Sequence, residues 1–74
     1  MPKLNNPTGY VVIYKEDGLI TEFQRNPSKQ MKIHNHLKTA TNAWRKLGGA
    51  SNGYDNKNGW FITTTVALAN AKWA

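Results

Sequence analysis

Between Ser28 and Leu47 the chain holds five cationic side chains, Lys29, Lys32, Lys38, Arg45 and Lys46, together with two histidines and no carboxylate. Cations at this density suit a negative partner, an acidic protein surface or a nucleic acid, whose phosphates they would neutralise with release of condensed counterions. Exposed helices ordinarily interleave Glu with Lys, because opposite charges three or four positions apart add stability. A helix that forgoes those pairs and keeps one sign is expected to face something negative. Arg25 before the run and Lys57 after it extend the candidate phosphate-binding set. About five phosphate contacts would make log affinity fall with log salt at a slope of roughly −3.5 to −4.5.

Other chemistries lack their residues. The chain has no cysteine, so neither disulfides nor thiolate metal sites are expected. His34 and His36, two apart on a helix, would point about 200° apart, whereas helical ligand pairs stand three or four apart, so no metal site is expected. The stretch Asp55-Asn56-Lys57-Asn58-Gly59 has the outline of a calcium loop, but Lys57 occupies an oxygen-ligand position and Val66 that of the bidentate glutamate. Gly48-Gly49-Ala50-Ser51-Asn52-Gly53 lacks the Lys-Ser/Thr that completes a phosphate-binding P-loop. Ser28 and Ser51 are the only serines, and three of the four carboxylates cluster around one hairpin. A poised nucleophile, base and orienting group cannot be assembled from this set, so neither an enzyme nor a cofactor is expected.

The elements that must position the cations can be read in order. Gly9 to Tyr14 (GYVVIY) is rich in β-branched and aromatic residues and reads as a strand. Asp17-Gly18 is a hairpin turn signal, and Leu19 to Arg25 reads as the returning strand. Ile33, Leu37, Ala40, Trp44 and Leu47 recur at spacings of four and three. That stripe predicts an amphipathic helix from Ser28 to Leu47, with Ser28 as N-cap and Gly48-Gly49 as the left-handed end. Residues 48–59 form a Gly/Asn-rich loop, and Trp60 to Val66 reads as a third strand. Ala67 to Ala74 either forms a short helix capped by a threonine or extends that strand.

The expected fold is therefore a single small α+β domain spanning residues 1–74, with a flexible N-terminal segment over 1–8. A small antiparallel sheet, a hairpin plus a third strand, carries one amphipathic helix on one face in ββαβ order. With strict alternation from an even turn, Tyr10, Val12, Tyr14, Leu19, Thr21, Phe23 and Arg25 share one sheet face. Val11, Ile13, Ile20, Glu22 and Gln24 share the other. Burying the aromatic face removes more area from water. The alternative buries the aliphatic face under the helix and leaves Tyr10, Tyr14 and Phe23 as a platform on which nucleic-acid bases could stack.

Charge supports the nucleic-acid reading. The net charge is +6, and residues 23–74 hold eight basic side chains against Asp55 alone. Such a lopsided body favours a polyanionic partner, DNA or RNA, held through phosphates largely without sequence specificity. The competing reading is a non-enzymatic interaction module, either an inhibitor or adaptor docking on an acidic protein surface or a homodimer burying its open sheet face. No segment approaches the roughly 20 apolar residues of a membrane span, and the N-terminus has no apolar run, so a cytoplasmic protein is expected. Size, charge and the lack of cysteine would suit a phage or mobile-element protein.

Overall fold

The computed structural model describes residues 9–49 and 57–74. The expected N-terminal segment, 1–8, and most of the 48–59 loop lie outside the described residues. The chain runs β1 (Tyr10–Glu16), β2 (Leu19–Phe23), α1 (Leu37–Lys46), β3 (Gly59–Thr64) and α2 (Thr65–Leu68). The strands form one antiparallel sheet in the order β2-β1-β3, with α1 packed against it. This is the expected α+β class and ββαβ order, closed by a short helix.

β1 is central because its residues can be buried from both sides. Val11, Val12 and Ile13 are all at most 1% exposed, as a run of β-branched side chains between two covered faces should be. The turn into β2 places Asp17 at φ 53° and Gly18 at φ 81°, the two left-handed residues a type I′ hairpin needs.

The β1–β2 register then departs from strict alternation. Tyr14 pairs with Glu22, but Lys15 pairs with Ile20, so Thr21 is an extra residue on β2. Such a bulge flips the side chains beyond it to the opposite face. Phe23 consequently pairs beside Ile13, and Gln24 bonds to Val12, its N–H reaching the Val12 carbonyl at 2.8 Å. The expected faces are therefore corrected from Glu22 onward: Ile20 and Phe23 both lie on the Val11–Ile13 side, with Arg25 over the Phe23 ring, whereas Glu22 stands opposite Tyr14 and Gln24 turns to the α1 side.

The two faces are covered by different elements. Val11, Ile13 and Ile20 form a cluster with Leu68 of α2, with Phe23, Met31, Phe61 and Ala71 packed around them. α2 is held by its N-cap, where the Thr64 hydroxyl accepts from the Ala67 N–H at 3.0 Å. A threonine-capped helix is therefore present, but at Thr65–Leu68 and not over the expected 67–74: Val66 belongs to the helix and not to the third strand, and the residues after Leu68 are not helical. Beyond it the chain lies along the outer edge of β2. The Ile20 N–H donates to the Lys72 carbonyl at 3.0 Å, and the Ala74 N–H to the Ile20 carbonyl at 2.9 Å. The Val12 face belongs to α1, whose Ala40 is fully buried.

The largest departure lies between β2 and α1. Ser28 caps no helix; α1 begins at Leu37, with His36 as an N-cap that offers no side-chain bond. Asn26 to Gln30 instead makes a second, tight reversal. The Lys29 N–H reaches the Asn26 carbonyl at 2.8 Å, the Asn26 N–H reaches the Gln30 carbonyl at 2.7 Å, and Lys29 sits at φ 66°. A type I turn followed by one left-handed residue has this pattern. Pro27 pre-sets its second position, while the Asn26 side chain accepts from the Gln30 N–H at 3.0 Å. The chain then returns extended, pairing Met31 with Arg25 and His34 with Tyr10. Ile33 and Leu37, counted into the apolar stripe, are 41% and 53% exposed, because one precedes the helix and the other opens it.

The far end of α1 follows expectation. The Gly48 N–H bonds to the Arg45 carbonyl at 3.1 Å and the Gly49 N–H to the Trp44 carbonyl at 2.8 Å, the paired closure of a Schellman motif.

Candidate nucleic-acid interface

α1 sorts its side chains by the period of the helix. Ala40 and Trp44, four apart, turn toward the sheet, and the Trp44 Nε1–H donates to the Trp60 carbonyl at 2.7 Å. That carbonyl points away from β1. Tyr10 exchanges both main-chain bonds with His34 at 2.8 Å, so by alternation Tyr14 opposite Trp60 also directs its main-chain groups toward β2. The indole thus caps an outward carbonyl on the edge of β3. Thr39, Asn42, Ala43 and Lys46 fall on one flank of the packing line, and Lys38 and Arg45 on the other.

Lys38, Arg45 and Lys46 are exposed, and none pairs with an acid among the described residues. Arg45 and Lys46 also occupy the last turn, where cations complement the helix dipole. The other candidates are distributed differently. Lys29 is exposed on the Asn26–Gln30 reversal and Lys32 on the extended segment returning from it, so neither belongs to the helix. Arg25 is committed within the chain. Its guanidinium lies over the Phe23 ring at 4.3 Å, Nη1 donates to the Lys29 carbonyl at 2.9 Å, and Nη2 stands 3.3 Å from Glu22. Lys57 adjoins the acid-bearing turn, its carbonyl accepting from the Gly18 N–H at 2.9 Å. The structure thus keeps Lys38, Arg45 and Lys46 on one element and sets Lys57 apart from them.

Tyr10, Tyr14 and Phe23 do not share a surface. Tyr14 packs edge-on against Trp60 at 5.1 Å between ring centroids, on the face that carries Val12. Phe23 lies on the opposite face, edge-on to Trp73 at 5.9 Å and beneath Arg25. All three are half-buried. Among the described residues, α1 lies on one face and α2 and the chain beyond it on the other, so the three rings are not presented together on one sheet face.

Along the flank that carries Lys46, α1 and the 24–34 segment enclose an open cleft of about 330 Å³. Gln24, His34, Thr39, Asn42, Ala43, Lys46 and Leu47 line it. His34 is buried and its Nε2 lies 2.7 Å from Gln24 Oε1. Burial, and secondarily the charge of Lys32, push the His34 pKa below its ordinary value of 6.5, so the imidazole is neutral at neutral pH. His36 is exposed. The two histidines precede the helix body, so the argument from helical spacing does not apply to them. Among the described residues no group of three His, Asp or Glu side chains could hold a metal ion.

The cleft residues escape a sequence reading based on charge, because neutral amides and a hydroxyl carry no such signal. The spacing of Thr39, Asn42 and Lys46, three then four apart, does mark one polar helix flank. What faces that flank was hidden by reading residues 28–36 as helix.

No helix among the described residues is long and apolar enough to cross a membrane. Comparison with protein-family models, with curated proteins and with solved structures finds no match to this chain.

Proposed function

We propose that this chain is a small nucleic-acid-binding protein that grips phosphates largely without regard to sequence, and that it is not an enzyme. The observation that carries the reading is α1. Its cations Lys38, Arg45 and Lys46 stand exposed on both sides of the packing line, with no acid paired to them among the described residues. The described acids, Glu16, Asp17 and Glu22, are confined to the first hairpin and β2. A helix of ten residues is about 15 Å long, enough to lie beside several phosphates. Lys32, close enough to His34 to act on its charge, adds a cation beside the α1 flank, and Lys29 stands exposed on the preceding reversal. Among the described residues the only other helix is the four-residue α2, which gives α1 no helix-turn-helix partner, so α1 serves phosphate contact better than base-specific reading of the major groove.

The test is a fluorescence titration of short single- and double-stranded DNA and RNA at two salt concentrations. With the three helix cations as the main contacts, log affinity should fall with log salt at a slope of about −2 to −3. Replacing Lys38, Arg45 and Lys46 together by Gln, which removes the charges without placing acids at the negative end of the helix, should abolish binding and leave the circular dichroism unchanged. An absence of salt-sensitive binding at micromolar protein rejects the reading.

A further inference from the structure

We propose that the cleft between α1 and the 24–34 segment receives one unstacked nucleobase of a single strand, with Gln24 and Asn42 contacting its edge and Lys46 the adjoining phosphate. This rests on the nucleic-acid reading and adds to it a preference for single strands.

The lining carries the argument. A volume of about 330 Å³ lies at the small end of ligand sites, which span roughly 300–1,000 Å³, so it fits one nucleotide-sized unit. Ala43 and Leu47 offer an apolar wall for a flat ring. Asn and Gln amides are the side chains best matched to base edges, since each presents a donor beside an acceptor. In the tautomer that donates from His34 Nε2, Gln24 Oε1 is occupied at 2.7 Å, and the Gln24 amide N–H groups remain to donate to a base. Asn42 is exposed at the cleft with both its donor and acceptor groups.

The floor is rigid before anything binds. His34 is fastened to central β1 by two main-chain bonds of 2.8 Å with Tyr10, and the Gln24 N–H is bonded to Val12 at 2.8 Å. A preformed polar floor lowers the ordering cost of binding. Its charge also discriminates. Among the described residues no acid lines the cleft, burial disfavours the charged form of the imidazole, and Lys46 is the single cation in the lining. That balance suits a neutral heterocycle inside with a phosphate at the rim, where a bare phosphate would call for several cations. In a duplex the pairing edges of the bases are used; in a single strand they are free to splay into such a site.

The experiment titrates the full chain with labelled oligo(dT), oligo(dA) and their duplex at matched salt. Parallel titrations use Asn42→Trp, which fills the cleft from an exposed helix position, and Asn42→Leu, which removes the amide at nearly constant size. Single strands should bind about tenfold or more tighter than the duplex. Asn42→Trp should abolish that advantage and leave duplex affinity unchanged, and the Gln24 and Asn42 side-chain amide resonances should shift on adding oligo(dT). If the tryptophan variant unfolds, Asn42→Leu decides by the same criterion. Equal affinity for duplex and single strand, or a single-strand advantage that survives the Asn42 changes, overturns the cleft site while leaving phosphate binding intact. No binding to any of the three overturns both.

Discussion

The Trp44 indole is held between two pieces of main chain. Its Nε1–H is taken by the Trp60 carbonyl at 2.7 Å on the edge of β3, and its ring lies against Gly49. A Cβ built on Gly49 would stand 2.3 Å from the indole, so glycine is required here by proximity. Gly49→Ala should destabilise the fold by about 1–3 kcal/mol through overpacking. Trp44→Phe should cost about 1–2 kcal/mol by leaving the carbonyl without its donor. Urea denaturation measures both. Because the two changes act on one ring, the double variant should lose less than the sum of the single losses. The Gly-Gly pair was legible as a helix stop, since glycine at that position is common chemistry. That the second glycine also makes room for a tryptophan was not legible, because nothing local ties position 44 to position 60.

At the scale of elements, the segment from Asn26 to His36 separates what patterning could reveal from what it could not. The apolar spacing continues back from Leu37 to Ile33, and Ser28 stands where an N-cap would. The same residues also spell a turn: Asn, then Pro to fix φ, then Ser and a residue able to go left-handed. The turn prevails because its extended arms gain partners, Met31 beside Arg25 and His34 beside Tyr10. Lys29 bears the conformational cost of this arrangement at φ 66°. Lys29→Gly should therefore raise stability by about 0.5–1 kcal/mol, the relief of left-handed strain less the added freedom of the unfolded chain. If Lys29 touches phosphate, the same substitution should flatten the salt slope by about 0.7–0.9. Denaturation and titration of one variant thus read opposite effects on folding and binding.

For the whole molecule, pH reports on how the elements are joined. His34 is buried where the return segment meets β1, and its folded pKa lies below 6.5, first through burial and then through Lys32. The unfolded chain therefore binds that proton more readily. The stability due to neutral His34 is fully present above about 6.5 and is lost as pH falls from there toward the folded value. Glu22 is held below its ordinary 4.5, chiefly by the Phe23 main-chain N–H and then by Arg25. Its contribution is present above 4.5 and is lost at more acid pH, as the carboxylate takes up its proton. Thermal melts across pH should show a decline beginning near 6.5 that His34→Gln removes. Any further decline below 4.5 that Glu22 contributes should be smaller, since its carboxylate is exposed, and should be absent in Glu22→Gln.

The sequence by itself determined the elements whose signals are local. These are the β-branched run that makes β1, the Asp-Gly turn, the glycine stop after Leu47, the third strand, and a run of cations from Ser28 to Leu47 without a carboxylate. The tertiary structure alone decided where the helix starts, which face each β2 residue takes, and what lies opposite the flank of α1 that carries Lys46. Each of these depends on partners distant in the chain. The bulge at Thr21 reverses the side chains from Glu22 to Arg25, the pairing of His34 with Tyr10 keeps residues 31–34 extended, and α2 covers the face that a single helix would leave wet. Local chemistry sets what a segment can become. Where two local readings compete, as at Asn26–Gln30, the main-chain bonds and burial offered by the rest of the fold select one.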